Sequence, residues 1–180
     1  MEDHIFEPEM AEKLEHESRY RFVSREELLE HIDFGDKVID VGSGTGFFTD
    51  DMAENAAKVL AIDPQPEMHD YYQKKGVPEN VELVNSRAAD IENGRADTVV
   101  SIFSFHEIDA GAAVERFAEA LKPDGLLVVY DWSSRGSGDS GPPLEKRFDS
   151  GEVREKVSIH MEVLESVERD ETFRLVAEPF

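Results

Sequence analysis

The chain contains no cysteine. That excludes a disulfide framework and any thiolate nucleophile. Basic residues are scarce: 19 lysines and arginines stand against 41 acids, a net charge of −22. A surface so poor in cations lacks the footprint that a phosphate backbone needs, so nucleic acid is not expected as a partner. No run approaches the roughly 18 apolar residues of a membrane span. The acidic first residues, Met1 to Ala11, have no apolar core and do not read as a signal peptide. Repeats and low-complexity tracts are missing, and the one Gly/Ser/Pro-rich stretch is Ser133 to Pro143.

What remains is a chain of 180 residues, enough for one domain with a sizeable core. The acids stand among ordered apolar patterns, as with Glu26, Glu27 and Glu30 beside Leu28, Leu29 and Ile32. A disordered acidic tail lacks such patterns. The composition therefore describes a folded, cytoplasmic domain in an acidic coat of the kind suited to high salt, and a halophilic source is expected.

Pro8 to Arg21 reads as a polar helix, and Ser24 with Glu27 as a capping box for a helix over Arg25 to His31. Short apolar strands then alternate with helical patterns. The strands are Lys37–Val41, Lys58–Ile62, Val81–Val84, Ala96–Ile102 and Leu126–Tyr130. Helices fit Phe47–Asn55, Glu67–Lys75 and Ala110–Leu121, the last stopped by Lys122-Pro123-Asp124-Gly125. One or two short helices lie between Glu145 and Val157. His160–Glu168 and Thr172–Glu178 flank a tight turn at Arg169-Asp170, so they must be antiparallel. The expected fold is α/β: a doubly wound, mostly parallel, seven-stranded Rossmann-like sheet with helices on both faces and an antiparallel C-terminal hairpin. Its parts are an N-terminal helical lid (1–34), a cofactor-binding core (35–131), and a final loop, short helices and hairpin (132–180). Ligands bind such sheets at the carboxyl ends of the strands, which brings Asp40, Gly42, Asp63, Ser104 to His106 and Asp131 to one edge.

The central stretch is KVIDVGSGTGFF, Lys37 to Phe48: strand, glycine turn, helix start. Gly42 and Gly44 fit the dinucleotide pattern G-x-G-x-x-G, but the third glycine, Gly46, comes one residue early. No lysine follows the turn, which excludes a P-loop. Asp40 would repel a pyrophosphate and attract an ammonium and a sulfonium. Asp63 ends the second strand, where an acid can accept both ribose hydroxyls. These features describe S-adenosylmethionine better than NAD.

DVGSGTGFFT followed by AIDPQPEM resembles class I S-adenosylmethionine-dependent methyltransferases. ADTVVSIFSFHEI resembles the family's fourth strand and the loop after it, and LKPDGLLVVYDW its fifth strand. The N-terminal lead-in and the GPPLEKRF segment resemble a small single-domain group near the ubiquinone/menaquinone-type methyltransferases. The resemblance implies that Asp40 and Gly42 hold the methionine part, that Ser43, Gly44 and Gly46 line the turn, and that Asp63 binds the ribose. Gln65 would lie near the adenine, Met68 beside the pocket, and Phe103 and Ser104 along its floor. The family's usual acid for the adenine amino group falls at Arg87, followed by Ala88; either Asp90 supplies that carboxylate or backbone does.

His106 is either a general base or a helix cap, and its neighbour Glu107 faces the same choice. Asp131 lies near the substrate or caps the next turn. Trp132 shields the pocket or packs the loop. Phe47 and Phe48 read as core. Arg135, Arg147 and Arg174 read better as ion pairs than as anchors for an anionic substrate. The six histidines show no metal-ligand spacing, so no metal is expected. The expected activity is methyl transfer from S-adenosylmethionine, with S-adenosylhomocysteine as product, to a small-molecule acceptor by in-line displacement. A nicotinamide-dependent reductase and a non-catalytic S-adenosylmethionine-binding protein are the alternatives. With no inserted substrate domain, the pocket is either shallow or completed by a second subunit, as in a homodimer.

Overall fold

The computed structural model describes residues 10–92 and 94–180. Seven strands form one sheet in the order β3-β2-β1-β4-β5-β7-β6. They are β1 (Lys37–Val41), β2 (Lys58–Asp63), β3 (Val81–Asn85), β4 (Ala96–Ile102), β5 (Leu121–Trp132), β6 (Met161–Glu168) and β7 (Thr172–Pro179). The first five run parallel to one another, while β7 pairs antiparallel with both β5 and β6. The sheet is thus the expected doubly wound, mostly parallel one with an antiparallel C-terminal hairpin.

Alternation along the central strands divides the core in two. Val38, Val100, Val128 and Tyr130 face one way, with Phe47, Phe48 and Met52 of α3 (Phe47–Asn55) and Leu28 of α2 (Arg25–Leu29). Ile39, Val41, Val99, Val129 and Leu175 face the other way, with Val114 and Phe117 of α5 (Ala110–Ala120) and Val153 and Val157 of α6 (Ser150–Val157). A strand buried on both faces has little room for an acid, and so Asp40 stands out on β1. By its place in the alternation it sides with Val38, toward α3. α4 (Pro66–Lys75) starts at a proline and stops at Gly76, whose φ of +108° lies outside the usual range of other residues.

Three elements differ from the sequence expectation by more than one residue. The polar N-terminal helix is two pieces, α1 (Ala11–Leu14) and a 3-10 turn over Glu17–Arg21. They part at His16, which turns extended and accepts the Ser18 N–H on its ring. The start of the expected helix, at Pro8 and Glu9, lies outside the described residues. α2 ends two residues early. Ser24 does cap it by accepting from the Glu27 N–H, but the Glu27 carboxylate goes to Arg169 and Arg174. Lys122 to Gly125 does not end before a strand; it bulges out of β5, because Ala96 pairs with Leu121 and Thr98 already pairs with Leu126. Gly125 fits there because any Cβ would stand 2.9 Å from the Asp97 carbonyl oxygen.

The winding reverses between β1 and β4, and the crevice at their carboxyl ends is the switch point. Ser104, just past β4, closes its base by donating to the Val41 carbonyl at 2.7 Å.

Candidate active site

The glycine turn is built largely around its own protein. A Cβ on Gly42 would lie 2.4 Å from the Ser104 Cβ, and one on Gly46 would lie 2.2 Å from the Tyr72 ring. Both have positive φ. Gly44 is different: its Cβ position meets only Leu14, at 3.6 Å. Four of the turn's backbone donors are also spent on protein. Gly42 and Ser43 N–H go to the Ile62 carbonyl, Gly46 N–H to the Ser43 carbonyl, and Gly44 N–H to Asp63 Oδ2 at 2.9 Å. A pyrophosphate cradle needs such donors free. This turn is shaped for a ligand without phosphate.

Two buried acids flank it. Asp40 is 3% exposed and accepts from the Thr49 hydroxyl at 2.6 Å. No cation pairs with it among the described residues, and burial pushes its carboxyl up to about 7. Asp63 accepts from Gly44 N–H and Gln65 N–H, one on each oxygen, and burial raises it too. Each carboxylate keeps acceptor capacity beyond these bonds. Behind the turn, buried His69 bridges the Ser43 hydroxyl (3.3 Å) and the Asn85 amide (3.1 Å).

Across the crevice, His106 and Asp131 are locked together. Asp131 accepts the His106 backbone N–H at 2.8 Å, and the ring Nδ1 lies 2.8 Å from its Oδ1. The histidine side chain is 7% exposed and the aspartate's 1%. Burial works against the imidazolium, but Asp131 outweighs it and the net shift is upward. Glu107 Oε1 stands 3.8 Å from the other ring nitrogen, and burial lifts its carboxyl to about 7. Asp63 also acts on Glu107 electrostatically, which ties this group to the glycine turn.

Phe103 holds a left-handed backbone, φ +57°, directly after β4. Such strain in a non-glycine residue clusters at functional sites. Its ring stacks on Trp132 at 4.8 Å, and Phe22 packs against Trp132 at 4.7 Å. The N-terminal segment covers the turn. Leu14 sits over Gly44, Glu15 accepts from the Thr45 hydroxyl, and the Arg19 guanidinium lies over the rings of Phe48, Phe47 and Phe103.

Asp40, Gly42, Ser43, Gly44, Gly46, Asp63, Phe103, Ser104, His106 and Asp131 therefore gather at the carboxyl ends of β1, β2, β4 and β5. Gln65 is joined to them through its N–H to Asp63, and Met68 is buried on α4. Ala88 is buried in the core, and Asp90 is not brought in: its exposed carboxylate pairs with Arg87 at 2.7 Å. Of the arginines weighed as anchors, Arg135 pairs with Asp149, and Arg174 with Glu165 and Glu27. Arg147 is no surface residue. It is 4% exposed, packs over Trp132 and donates to the carbonyls of Ser133, Ser140 and Pro142. Arg19 escaped the sequence reading altogether, since no periodicity or motif marks it.

Residues 39–129 match the family model described as a methyltransferase domain. The chain belongs to this methyltransferase family. A solved S-adenosylmethionine-dependent methyltransferase from Aquifex aeolicus shares 29% identity and a TM-score of 0.87, over 98% of this chain and 100% of that one. An uncharacterized methyltransferase of Mycobacterium bovis is 31% identical over 100 residues, 55% of this chain and 40% of its own length. A ubiquinone biosynthesis O-methyltransferase of Xanthomonas euvesicatoria is 34% identical over 102 residues, 53% of this chain and 42% of its own. The chain thus spans about 40% of the length of these curated relatives. Family and fold imply S-adenosylmethionine as cofactor and S-adenosylhomocysteine as product. The residues present fit that group: a glycine faced only by Leu14, and two buried acids with no cation in ion-pair contact among the described residues. No helix among the described residues is long and apolar enough to cross a membrane.

Proposed function

We propose that the protein transfers a methyl group from S-adenosylmethionine to a small-molecule acceptor that loses a proton in the reaction. The observation that carries this reading is the pair of buried acids with no cation in ion-pair contact among the described residues, Asp40 and Asp63, beside a turn with four of its backbone donors already spent. Asp40 takes the ammonium of the methionine part and Asp63 the ribose hydroxyls. Gln65, Met68 and Ala88 sit toward the adenine, and Asp90 reaches it only by leaving Arg87. When bound, the cofactor supplies an electrophilic sulfonium methyl for in-line displacement, the electron pair of the broken bond staying on sulfur.

The protein's own work is alignment, exclusion of water and removal of a proton. Asp131 takes Nδ1–H of His106 and so leaves the Nε2 lone pair to accept the acceptor's proton. Phe103, Trp132 and Phe22 provide an apolar wall beside it. The N-terminal segment and the 132–143 loop touch through Phe22 against Trp132 and Arg21 donating to Ser140, and together they form the lid. With its acidic coat the protein works in a salty cytoplasm, without nucleic acid as partner, and a second copy completes the pocket if one chain leaves it shallow.

Calorimetry with S-adenosylhomocysteine and with NADH tests the cofactor, and labelled methyl transfer to quinone precursors, phenols and amines tests the reaction. Binding of NADH alone, or tight S-adenosylhomocysteine binding with no transfer to any class, sinks this reading.

A further inference from the structure

His106 has a neighbour that the steps above leave unused. Glu107 ends the short 3-10 turn Phe105–Glu107 that follows β4. Phe105 is fully buried, and the Glu107 N–H donates to the Ser104 carbonyl, so the backbone under this side chain is fixed. Glu107 Oε1 stands 3.8 Å from His106 Nε2. That is too long for a hydrogen bond between the two. Neither the Glu107 carboxylate nor His106 Nε2 makes a hydrogen bond among the described residues. The glutamate side chain is 25% exposed, so a ligand can reach it.

Asp131 holds Nδ1, and a neutral His106 then offers a lone pair at Nε2. An ionised Glu107 offers lone pairs alone. The gap thus presents two acceptors and no donor. A nitrogen set about 2.9 Å from each atom would see them about 80° apart, so two of its hydrogens serve both with modest bending. A single hydroxyl brings one hydrogen and leaves one acceptor unmet. Charge points the same way. Asp131 and Asp63 add negative potential at Glu107, opposed by His106 and Lys146, and burial pushes its carboxyl up to about 7. A cation beside it relieves that cost. The stacked rings of Phe103 and Trp132 give apolar surface next to Asp131.

We propose that the methyl acceptor is a primary amine on an aromatic or other apolar body, held by Glu107 and His106 together. This rests on the methyl-transfer reading above. The ammonium docks on Glu107 and gives one proton to His106 Nε2, which frees the nitrogen lone pair. That lone pair forms the new N–CH3 bond as the S–CH3 bond breaks, its electrons staying on sulfur. The product is a secondary ammonium, still paired with Glu107 until it leaves, and His106 returns its proton to water. Glu107 therefore selects the acceptor, while His106 removes the proton.

The probes are 2-phenylethylamine and 2-phenylethanol, which differ only in the group that meets Glu107. Calorimetry adds each to the protein saturated with S-adenosylhomocysteine, whose uncharged sulfur does not repel the ammonium. Wild type should prefer the amine by ~10-fold to 100-fold, the range of a charge-assisted pair. Glu107→Gln should abolish that preference while affinity for the alcohol stays within ~3-fold, and Glu107→Asp should recover part of it. With labelled S-adenosylmethionine, wild type should methylate the amine on nitrogen and leave the alcohol untouched. A preference that survives in Glu107→Gln overturns the proposal, as does an equal loss for both probes. Transfer to phenols with no binding of the amine overturns it too and leaves the methyl-transfer reading standing. If S-adenosylhomocysteine itself does not bind, that reading falls and takes the amine with it.

Discussion

Asp131 holds His106 at two places at once, accepting the backbone N–H and facing ring Nδ1, each at 2.8 Å. The first bond fixes where the residue sits, and the second fixes which way the ring faces. A base held like this needs little reorganisation at the moment of proton transfer. His106→Gln should lower kcat by about 10²-fold to 10⁴-fold for an acceptor with a proton to lose. The base must be neutral, and Asp131 raises its pKa, so activity should climb with pH through a midpoint above 6.5. Asp131→Asn should move that midpoint down. A pH profile of kcat that is flat in wild type contradicts this role.

Asp40 carries a stability cost. Burial pushes its carboxyl from the ordinary 3.8 up to about 7, so the folded state holds the proton more tightly than the unfolded chain. Stability therefore falls as pH rises from about 4 to 7 and stays low above that. Asp40→Asn keeps an acceptor for Thr49 and removes the buried charge. It should stabilise the free protein at pH 8 by about 2 kcal/mol, with the gain vanishing near pH 4. S-adenosylhomocysteine binding should be lost in the same variant. Urea titrations at the two pH values, with calorimetry, read both effects.

The three glycines of the turn should separate by mechanism. Gly46→Ala forces a methyl into the Tyr72 ring at φ +84° and should unfold the protein or cost at least about 2 kcal/mol. Gly44→Ala meets only Leu14, at an ordinary contact distance of 3.6 Å, and pays for φ +55°, about 1 kcal/mol. Its stability should survive while cofactor affinity drops. Thermal melts and calorimetry on the two variants decide this.

Arg147 fastens the loop that carries Trp132. Arg147→Met leaves three carbonyls short of a donor and should lower stability by about 2–4 kcal/mol. Arg147→Lys should recover less than half, because an ammonium cannot serve a fork of acceptors. Affinity for S-adenosylhomocysteine should stay within ~3-fold in both, since the loop lies on the acceptor side.

A net charge of −22 sets a salt response. Raising KCl from 0.1 to 2 M shrinks the Debye length from about 10 Å to below about 3 Å and screens the self-repulsion. The melting temperature should rise by several degrees. An unchanged melt would remove the case for a salt-adapted coat.

Much of the fold was legible because local pattern and global sheet agree. β1, β4 and α3 stand at the residues that alternation and the glycine turn mark. The errors fall where local pattern was weak or a tertiary contact overrode it. A polar segment with few apolar positions broke at His16, where a side chain caught the Ser18 N–H. The Lys-Pro-Asp-Gly turn became a bulge, because strand pairing resumes on both sides of it. Glu27 left its capping box for two arginines far away in sequence.

The sequence by itself determined the sheet, the family and the phosphate-free character of the cofactor site. Those depend on residues within about a dozen positions of one another: an acid, three glycines and a helix start. Only the tertiary structure decided that Gly42 and Gly46 answer to Ser104 and Tyr72, that Asp131 orients His106, and that Arg147 is buried. It also set Arg19 against the rings of Phe47, Phe48 and Phe103. Each of these is a meeting of residues remote in sequence, and no periodicity or spacing records such a meeting before the chain has folded.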